Sequence, residues 1–229
     1  MSRIAQNLAN ISQRVEAAAH AVGRDPQDIT ILAVSKTHSA AKIREAYAAG
    51  LTRFGESYVQ EAIPKIQALS ELPLEWHYIG PIQSNKTRDI AEHFAWVHSV
   101  DRLKIASRLN EQRPKELKPL NICVQINISM ETSKSGIVQQ ALHEFVAQLK
   151  SLRRLKLRGL MAIPQKTADQ RQQRALFADL RRMFDDLNQE GYQLDTLSMG
   201  MTDDLEAAVM EGSTLLRIGT GLFGARSDR

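Results

Sequence analysis

The chain has 229 residues, 43% hydrophobic and 24% charged, with a formal net charge of +4. That balance is globular, which excludes a disordered chain, and no apolar run approaches the ~20 residues needed to cross a bilayer. The single cysteine, Cys123, excludes an internal disulfide. The opening Met1-Ser2-Arg3-Ile4-Ala5-Gln6-Asn7 has no apolar signal core, so the expected compartment is the reducing cytoplasm, away from membranes. The densest basic stretch, Arg153-Arg154-Leu155-Lys156-Leu157-Arg158, alternates charge with leucine as a strand entry does. It lacks interleaved aromatic residues, and no nucleic-acid partner is expected.

Along the chain, residues 1–22 read as a helix. Ile4, Leu8, Ile11, Val15, Ala18 and Val22 recur at three- and four-residue steps and make one apolar face. Gly23 and Asp25-Pro26 end it. The opposite face is not strongly basic, so the stripe reads as packing surface and not as a membrane anchor. A strand–helix alternation follows. Strands are expected at 29–34, 53–56, 76–80, 96–100, 121–127, 155–163, 196–200 and 215–219, from apolar and β-branched runs. Helices are expected at 40–49, 58–69 (with Pro64 as an irregularity), 86–94, 102–110, 138–149, 169–188 and 203–210. Such alternation implies parallel strands and right-handed crossovers. Eight steps in about 200 residues fit a closed (β/α)8 TIM barrel with an extra N-terminal helix better than an open doubly wound sheet. The polar segment 112–119 is too short for a domain linker, and one domain over 1–229 is expected.

In a barrel of this kind the active face lies at the carboxyl ends of the strands. That rule selects Lys36 after the first strand, Gly55-Glu56-Ser57 after the second and Gly80 after the third, with His77 inside it. It also selects Asn127, Met161, Ser198-Met199-Gly200-Met201-Thr202 and Gly219-Thr220-Gly221. Lys36 follows the apolar, β-branched run Ile29-Thr30-Ile31-Leu32-Ala33-Val34, with Ser35 between. A lysine there either points to water or reaches the barrel mouth, where desolvation lowers its pKa and a neutral amine attacks a carbonyl.

The run from Gly219 to Gly224 matches G-x-G-x-x-G in letters. As a dinucleotide fingerprint it fails, because no βαβ unit with an acidic residue follows. Its glycines make either a plain turn or a phosphate cradle of backbone N–H groups. Ser198 and Thr202 add hydroxyls, with Thr202 expected as an N-cap. Arg217 shares a strand face with Gly219. It either pairs internally, with Glu56 as the candidate, or contacts a ring nitrogen or anionic group of a ligand.

The remaining candidates carry less. The histidines show no zinc spacing. Asp203-Asp204 reads as charge at a helix start and Asp185-Asp186 as a solvated face. Cys123 reads as core. Lys134, in the polar loop after the fifth strand, is either a flexible surface lysine or a recruiter of phosphate.

Several ordered segments resemble the pyridoxal-phosphate homeostasis proteins of the YggS/PROSC type, over essentially the whole chain. They are Leu32-Ala33-Val34-Ser35-Lys36-Thr37, Phe54-Gly55-Glu56, Trp76-His77-Tyr78-Ile79-Gly80, Gln83-Ser84-Asn85-Lys86, Gln125-Ile126-Asn127, Ser133-Lys134-Ser135-Gly136, Gly159-Leu160-Met161, Leu197-Ser198-Met199-Gly200-Met201 and Arg217-Ile218-Gly219-Thr220. The family looks like the barrel domain of alanine racemase standing alone. The resemblance implies that Lys36 holds pyridoxal 5'-phosphate as a Schiff base. It implies that Ser198, Thr202, Gly219 and Thr220 hold the phosphate and that Arg217 meets the pyridine nitrogen. Ser57, His77 and Met199 complete the expected cofactor-binding set, with no catalytic residue and no metal. Ser57 stands where the family usually has asparagine. Thr202 stands where it often has serine, which keeps the hydroxyl.

The cofactor is a strong electron sink only with a protonated pyridine nitrogen, which an arginine partner disfavours. In alanine racemases a tyrosine from a second domain and partner subunit supplies the second base, and no second domain follows the eighth strand here. The expected function is therefore binding and transfer of the cofactor to apo-enzymes, within vitamin B6 and amino-acid homeostasis, by a monomer without efficient catalysis. The alternatives are a small pyridoxal-phosphate-dependent amino-acid racemase or Schiff-base aldolase, a cofactor-free phosphosugar isomerase and a purely structural protein.

Overall fold

The computed structural model describes residues 2–129 and 135–224. Eight parallel strands close into a barrel in sequence order: β1 Thr30–Val34, β2 Arg53–Glu56, β3 Glu75–Tyr78, β4 Trp96–Val100, β5 Leu120–Ile126, β6 Leu155–Ala162, β7 Thr196–Ser198 and β8 Leu215–Ile218. Pairing of β8 with β1, Leu32 opposite Arg217, completes the ring. The helices are α1 Arg3–His20, α2 Ala40–Ala48, α3 Val59–Ala68, α4 Thr87–His93, α5 Leu103–Gln112, α6 Leu142–Leu149, α7 Gln170–Gln189, α8 Leu205–Met210 and α9 Thr220–Phe223. This is the (β/α)8 barrel with an added N-terminal helix that the alternation predicts.

Side-chain alternation divides the buried residues into two bodies. Ala33, Phe54, Val97, Ile122, Leu160 and Leu197 face outward and join the helices in one continuous apolar layer. Trp96, Cys123 and Met161 form a second, smaller cluster. Beside it the barrel interior is polar: His77, His98, Ser198 and Arg217 are all buried.

The N-terminal helix is structural, as its stripe predicts. Ser2 caps it by accepting from the Ala5 N–H, and Ile4, Ile11, Val15, Ala18 and Ala19 are buried. It packs on α8 and α9. Asn7 donates to the Leu222 carbonyl, while Arg14 grips Glu206 and donates to the Thr202 carbonyl at 2.9 Å.

Most element boundaries shift by one or two residues from the sequence reading, and three of the differences stand out. β7 stops at Ser198 because Gly200 turns to φ +96°, where a Cβ would lie 2.5 Å from the Ala208 Cβ. A 3-10 turn, Gln139–Ala141, precedes α6. α8 starts at Leu205 with Asp204 at the cap. Thr202 is therefore not an N-cap, and its hydroxyl accepts from the Gly221 N–H instead. Lys134 lies outside the described residues. Among those residues no helix is long and apolar enough to cross a membrane, and no His, Cys, Asp and Glu cluster has metal-binding geometry.

Gly159 pairs with Thr196 across β6 and β7, and a Cβ on it would fall 1.6 Å from the Thr196 carbonyl oxygen. Replacing Gly159 by alanine must displace backbone. We expect Gly159→Ala to cost more than ~3 kcal/mol in urea unfolding. A loss under ~1 kcal/mol would contradict this register.

Candidate functional site

A cavity of about 510 Å³ opens at the carboxyl ends of the strands. Of the residues singled out from sequence, Lys36, Ser57, Thr202, Arg217, Gly219 and Thr220 line it. The others do not. His77 lines a different cavity, of about 390 Å³, beside Arg53, Glu75 and Trp96 at the amino ends. It pairs in register with Trp96, the first residue of β4, and so sits too low in the barrel to reach the mouth. Ser198 points inward but one layer below the cavity, where it is fully buried. Met199, next along the chain, turns outward into the apolar layer.

Lys36 stands two residues beyond the end of β1, in a turn whose next residue, Thr37, has φ +67°. Three side chains fix that turn from below. The Lys65 ammonium donates to the Ser35 carbonyl at 2.9 Å, to Glu56 Oε1 at 2.9 Å and to Glu61 Oε1 at 2.5 Å. Ser35 Oγ donates to Glu56 Oε1, and the Thr37 N–H donates to Glu61 Oε1. Two carboxylates and one ammonium thus hold the backbone on both sides of Lys36. Burial pushes the Glu56 carboxyl up, opposed by Lys65 and Ser35.

The other end of the cavity is backbone and hydroxyl. Gly219 precedes the short α9, and the Gly221 N–H donates to Thr202 Oγ1 at 3.1 Å. A Cβ on Gly221 would strike the Thr202 methyl at 2.7 Å. The second glycine of the run is therefore what lets the β7–α8 loop and the β8–α9 turn touch, bringing Thr202, Gly219 and Thr220 together. Lys166, paired with Asp203 at 3.1 Å, and His38, stacked on Phe223, complete this wall.

Between the two ends lies Arg217, 4% exposed. Its Nη1 donates to the Ser198 carbonyl and to Ser198 Oγ, and its Nη2 donates to the Ala162 carbonyl at 2.9 Å. Burial pulls its pKa down to about 10, with the Asp204 charge opposing. The expected internal ion pair with Glu56 is not formed: Glu56 is held by Lys65 and Ser35. Among the described residues the arginine is satisfied by neutral oxygens, and it stays charged at neutral pH.

Sequence reasoning passed over Lys65, Glu61 and His98. The first two stand at an i,i+4 spacing on α3, which reads as an ordinary solvated pair. Only the buried Glu56 makes it otherwise. His98 sits within an apolar strand and signals nothing until its neighbours are known.

Removing the Lys65 ammonium would leave Glu56 buried and charged. Lys65→Met should cost ~3–5 kcal/mol in denaturant unfolding. Adding Glu56→Gln should restore part of that loss. Strict additivity of the two changes would show that the pair is not coupled.

Comparison with known proteins agrees with this arrangement. The alanine racemase N-terminal domain family matches residues 2–227. The pyridoxal phosphate homeostasis protein of Pseudomonas aeruginosa is 61% identical over 226 residues, 99% of this chain and 97% of that protein. Its Escherichia coli counterpart is 53% identical over 229 residues, 99% and 98% of the two chains. Among solved structures, PipY of Synechococcus elongatus with pyridoxal phosphate bound is 40% identical, with a TM-score of 0.84 over 97% of this chain and 100% of that one. An alanine racemase from Clostridium difficile, at 18% identity and a TM-score of 0.74, covers 96% of this chain and 56% of its own, and shares the fold alone. The chain belongs to the pyridoxal phosphate homeostasis proteins, a family built on the alanine racemase N-terminal barrel.

Proposed function

We propose that this chain binds pyridoxal 5'-phosphate reversibly in the mouth cavity, through Lys36, and passes it to apo-enzymes as part of vitamin B6 and amino-acid homeostasis. The observation that carries the reading is the sharing of one cavity by an amine, a guanidinium and a hydroxyl-and-backbone corner, Lys36, Arg217 and Thr202–Gly219–Thr220. The residues present fit the group. About 510 Å³ is ordinary for a cofactor-sized ligand. The corner is open because Gly219 and Gly221 carry no Cβ. The homologous PipY, solved with pyridoxal phosphate bound, supports the same assignment.

When bound, pyridoxal phosphate supplies an aldehyde that a primary amine captures with loss of water. Lys36 is the amine, held in place by the Lys65, Glu56 and Glu61 clamp. Thr202, Thr220 and the Gly219 backbone receive the phosphate, with the Arg217 charge favouring the anion in a low-dielectric setting. Arg217 is a donor only. Facing a pyridine nitrogen it favours the unprotonated ring, which weakens electron withdrawal and suits holding over turnover. Tyr78 is unsuited to act as a second base, because its hydroxyl donates to the Ser57 and Pro81 carbonyls and burial pushes its pKa up to about 12. Ile163 and Met201 stand exposed on the rim, where a recipient enzyme would dock.

Protein reconstituted with pyridoxal phosphate should show a visible band that borohydride bleaches, with the reduced adduct mapped by mass spectrometry to Lys36. Lys36→Ala should abolish it, and Thr202→Val should weaken retention about tenfold by losing a hydroxyl partner of the phosphate. An adduct on another lysine, or none, would sink the reading. Robust racemisation of chiral amino acids, lost in Lys36→Ala, would instead favour a small racemase.

A further inference from the structure

A column of polar side chains runs from Arg217 down through the barrel to its opposite rim. Arg217 Nη1 donates to Ser198 Oγ at 2.8 Å. Ser198 Oγ lies 2.7 Å from His98 Nδ1, His98 Nε2 lies 2.9 Å from His77 Nδ1, and His77 Nε2 lies 3.0 Å from Glu75 Oε1. His77, His98 and Ser198 are at most 1% exposed, whereas Glu75 borders the amino-end cavity.

The two ends fix every hydrogen between them. A guanidinium only donates and an ionised carboxylate only accepts. His77 therefore donates from Nε2 to Glu75, which leaves its Nδ1 as an acceptor. His98 donates from Nε2 to that nitrogen, and its own Nδ1 accepts the Ser198 hydroxyl. The Ser198 oxygen then accepts from Arg217. All four bonds point the same way, from the mouth to Glu75, and none turns round without a proton added to a buried imidazole.

The surroundings hold that state. Burial lowers the pKa of both imidazoles; Arg53 adds to this at His77, against Glu75, while His77 and Arg217 add to it at His98. The Glu75 carboxyl is held low by His77 and by Arg53, whose Nε donates to it at 3.2 Å. The other titratable groups near Arg217 are Asp204, toward the mouth, and Cys123, whose thiol is pushed up to about 12 and stays neutral. Trp96, Cys123 and Met161 beside the column show that apolar filling suits this interior, and a buried polar chain is costly unless every member is satisfied.

We propose that Glu75, His77, His98 and Ser198 form a one-directional hydrogen-bond relay that positions Arg217 as a donor toward the ring nitrogen of the bound cofactor. The role toward the cofactor rests on the binding reading above; the direction of the relay does not. Protonation of His77 would turn its Nδ1–H toward His98 and reverse the upper half. Ser198 Oγ would then accept from both His98 and Arg217, and its own hydroxyl hydrogen would lose His98 as an acceptor, which loosens the side chain that anchors the arginine. Since both imidazoles resist protons in the folded state more than in the unfolded chain, stability should be complete above the unfolded value of ~6.5. It should fall as pH drops below that toward the folded values.

The test uses the whole chain. In the cofactor-free protein near neutral pH, long-range ¹H–¹⁵N spectra should show His77 and His98 both neutral and protonated at Nε2. A cationic ring, or an Nδ1–H tautomer of His98, would overturn the relay. In the protein loaded with pyridoxal phosphate, Glu75→Gln should move the pH midpoint of the visible absorbance by about one unit by removing the accepting charge. Asp28→Asn, on the same amino-end cavity but outside the column, should leave it in place. Coincident titrations for wild type and Glu75→Gln would overturn the positioning role. Failure of the wild type to take up pyridoxal phosphate would bring down the binding reading and the positioning role together, while the tautomers would still decide the relay.

Discussion

A guanidinium buried at the centre of a barrel needs oxygen atoms around it, and this need organises the interior. Arg217 obtains them from the Ser198 and Ala162 carbonyls and from one hydroxyl. β7 therefore has to end where its last carbonyl and side chain both face inward, which Ser198 does. Gly200 follows in a conformation that frees the loop to climb toward the mouth. The hydroxyl needs an acceptor in its turn, and His98 provides it. A single positive charge thus accounts for the polar column, for the position of the β7–α8 loop and for the small size of the apolar cluster beside it.

The amine end of the mouth is built on the opposite principle. Lys36 sits on a turn beyond β1, so the strand alone cannot aim it. The aim comes from Lys65 and Glu61, which grip backbone atoms on either side of it, and from Glu56, which accepts from the Ser35 hydroxyl. Such a buried charge cluster, in which Glu56 Oε2 is left without a hydrogen-bond partner, does little for net stability. Its value here is geometric: it fixes a left-handed residue, Thr37, immediately after Lys36.

Much of this was legible in the sequence. Strand–helix alternation is a matter of local periodicity, and it gave the barrel, the order of elements and the packing role of α1. The carboxyl-end rule then gave Lys36, Ser57, Thr202, Arg217, Gly219 and Thr220 as neighbours in one cavity. His77 and Ser198 lie below the cavity because depth within a barrel depends on register between strands, which is not a local property, whereas Met199 faces the apolar layer by simple alternation with Ser198. His77 is level with the first residue of β4, and Ser198 lies a layer beneath Gly219. Of the two partners open to Arg217, the ion pair with Glu56 does not form because Lys65, one helix further along the chain on α3, claims the carboxylate.

The tethers from α1 to the β7–α8 loop and to α9 span 188 and 215 residues, and β1 closes on β8. The corner of Thr202, Gly219 and Thr220 is therefore tied to residues of α1, far earlier in the chain. On a ribosome it would take shape only after the eighth strand had emerged, and the long loop it closes is slow to form. A nascent or nicked barrel would present the Lys36 turn without that corner, so the proposed capture of the vitamin would wait on closure of the ring.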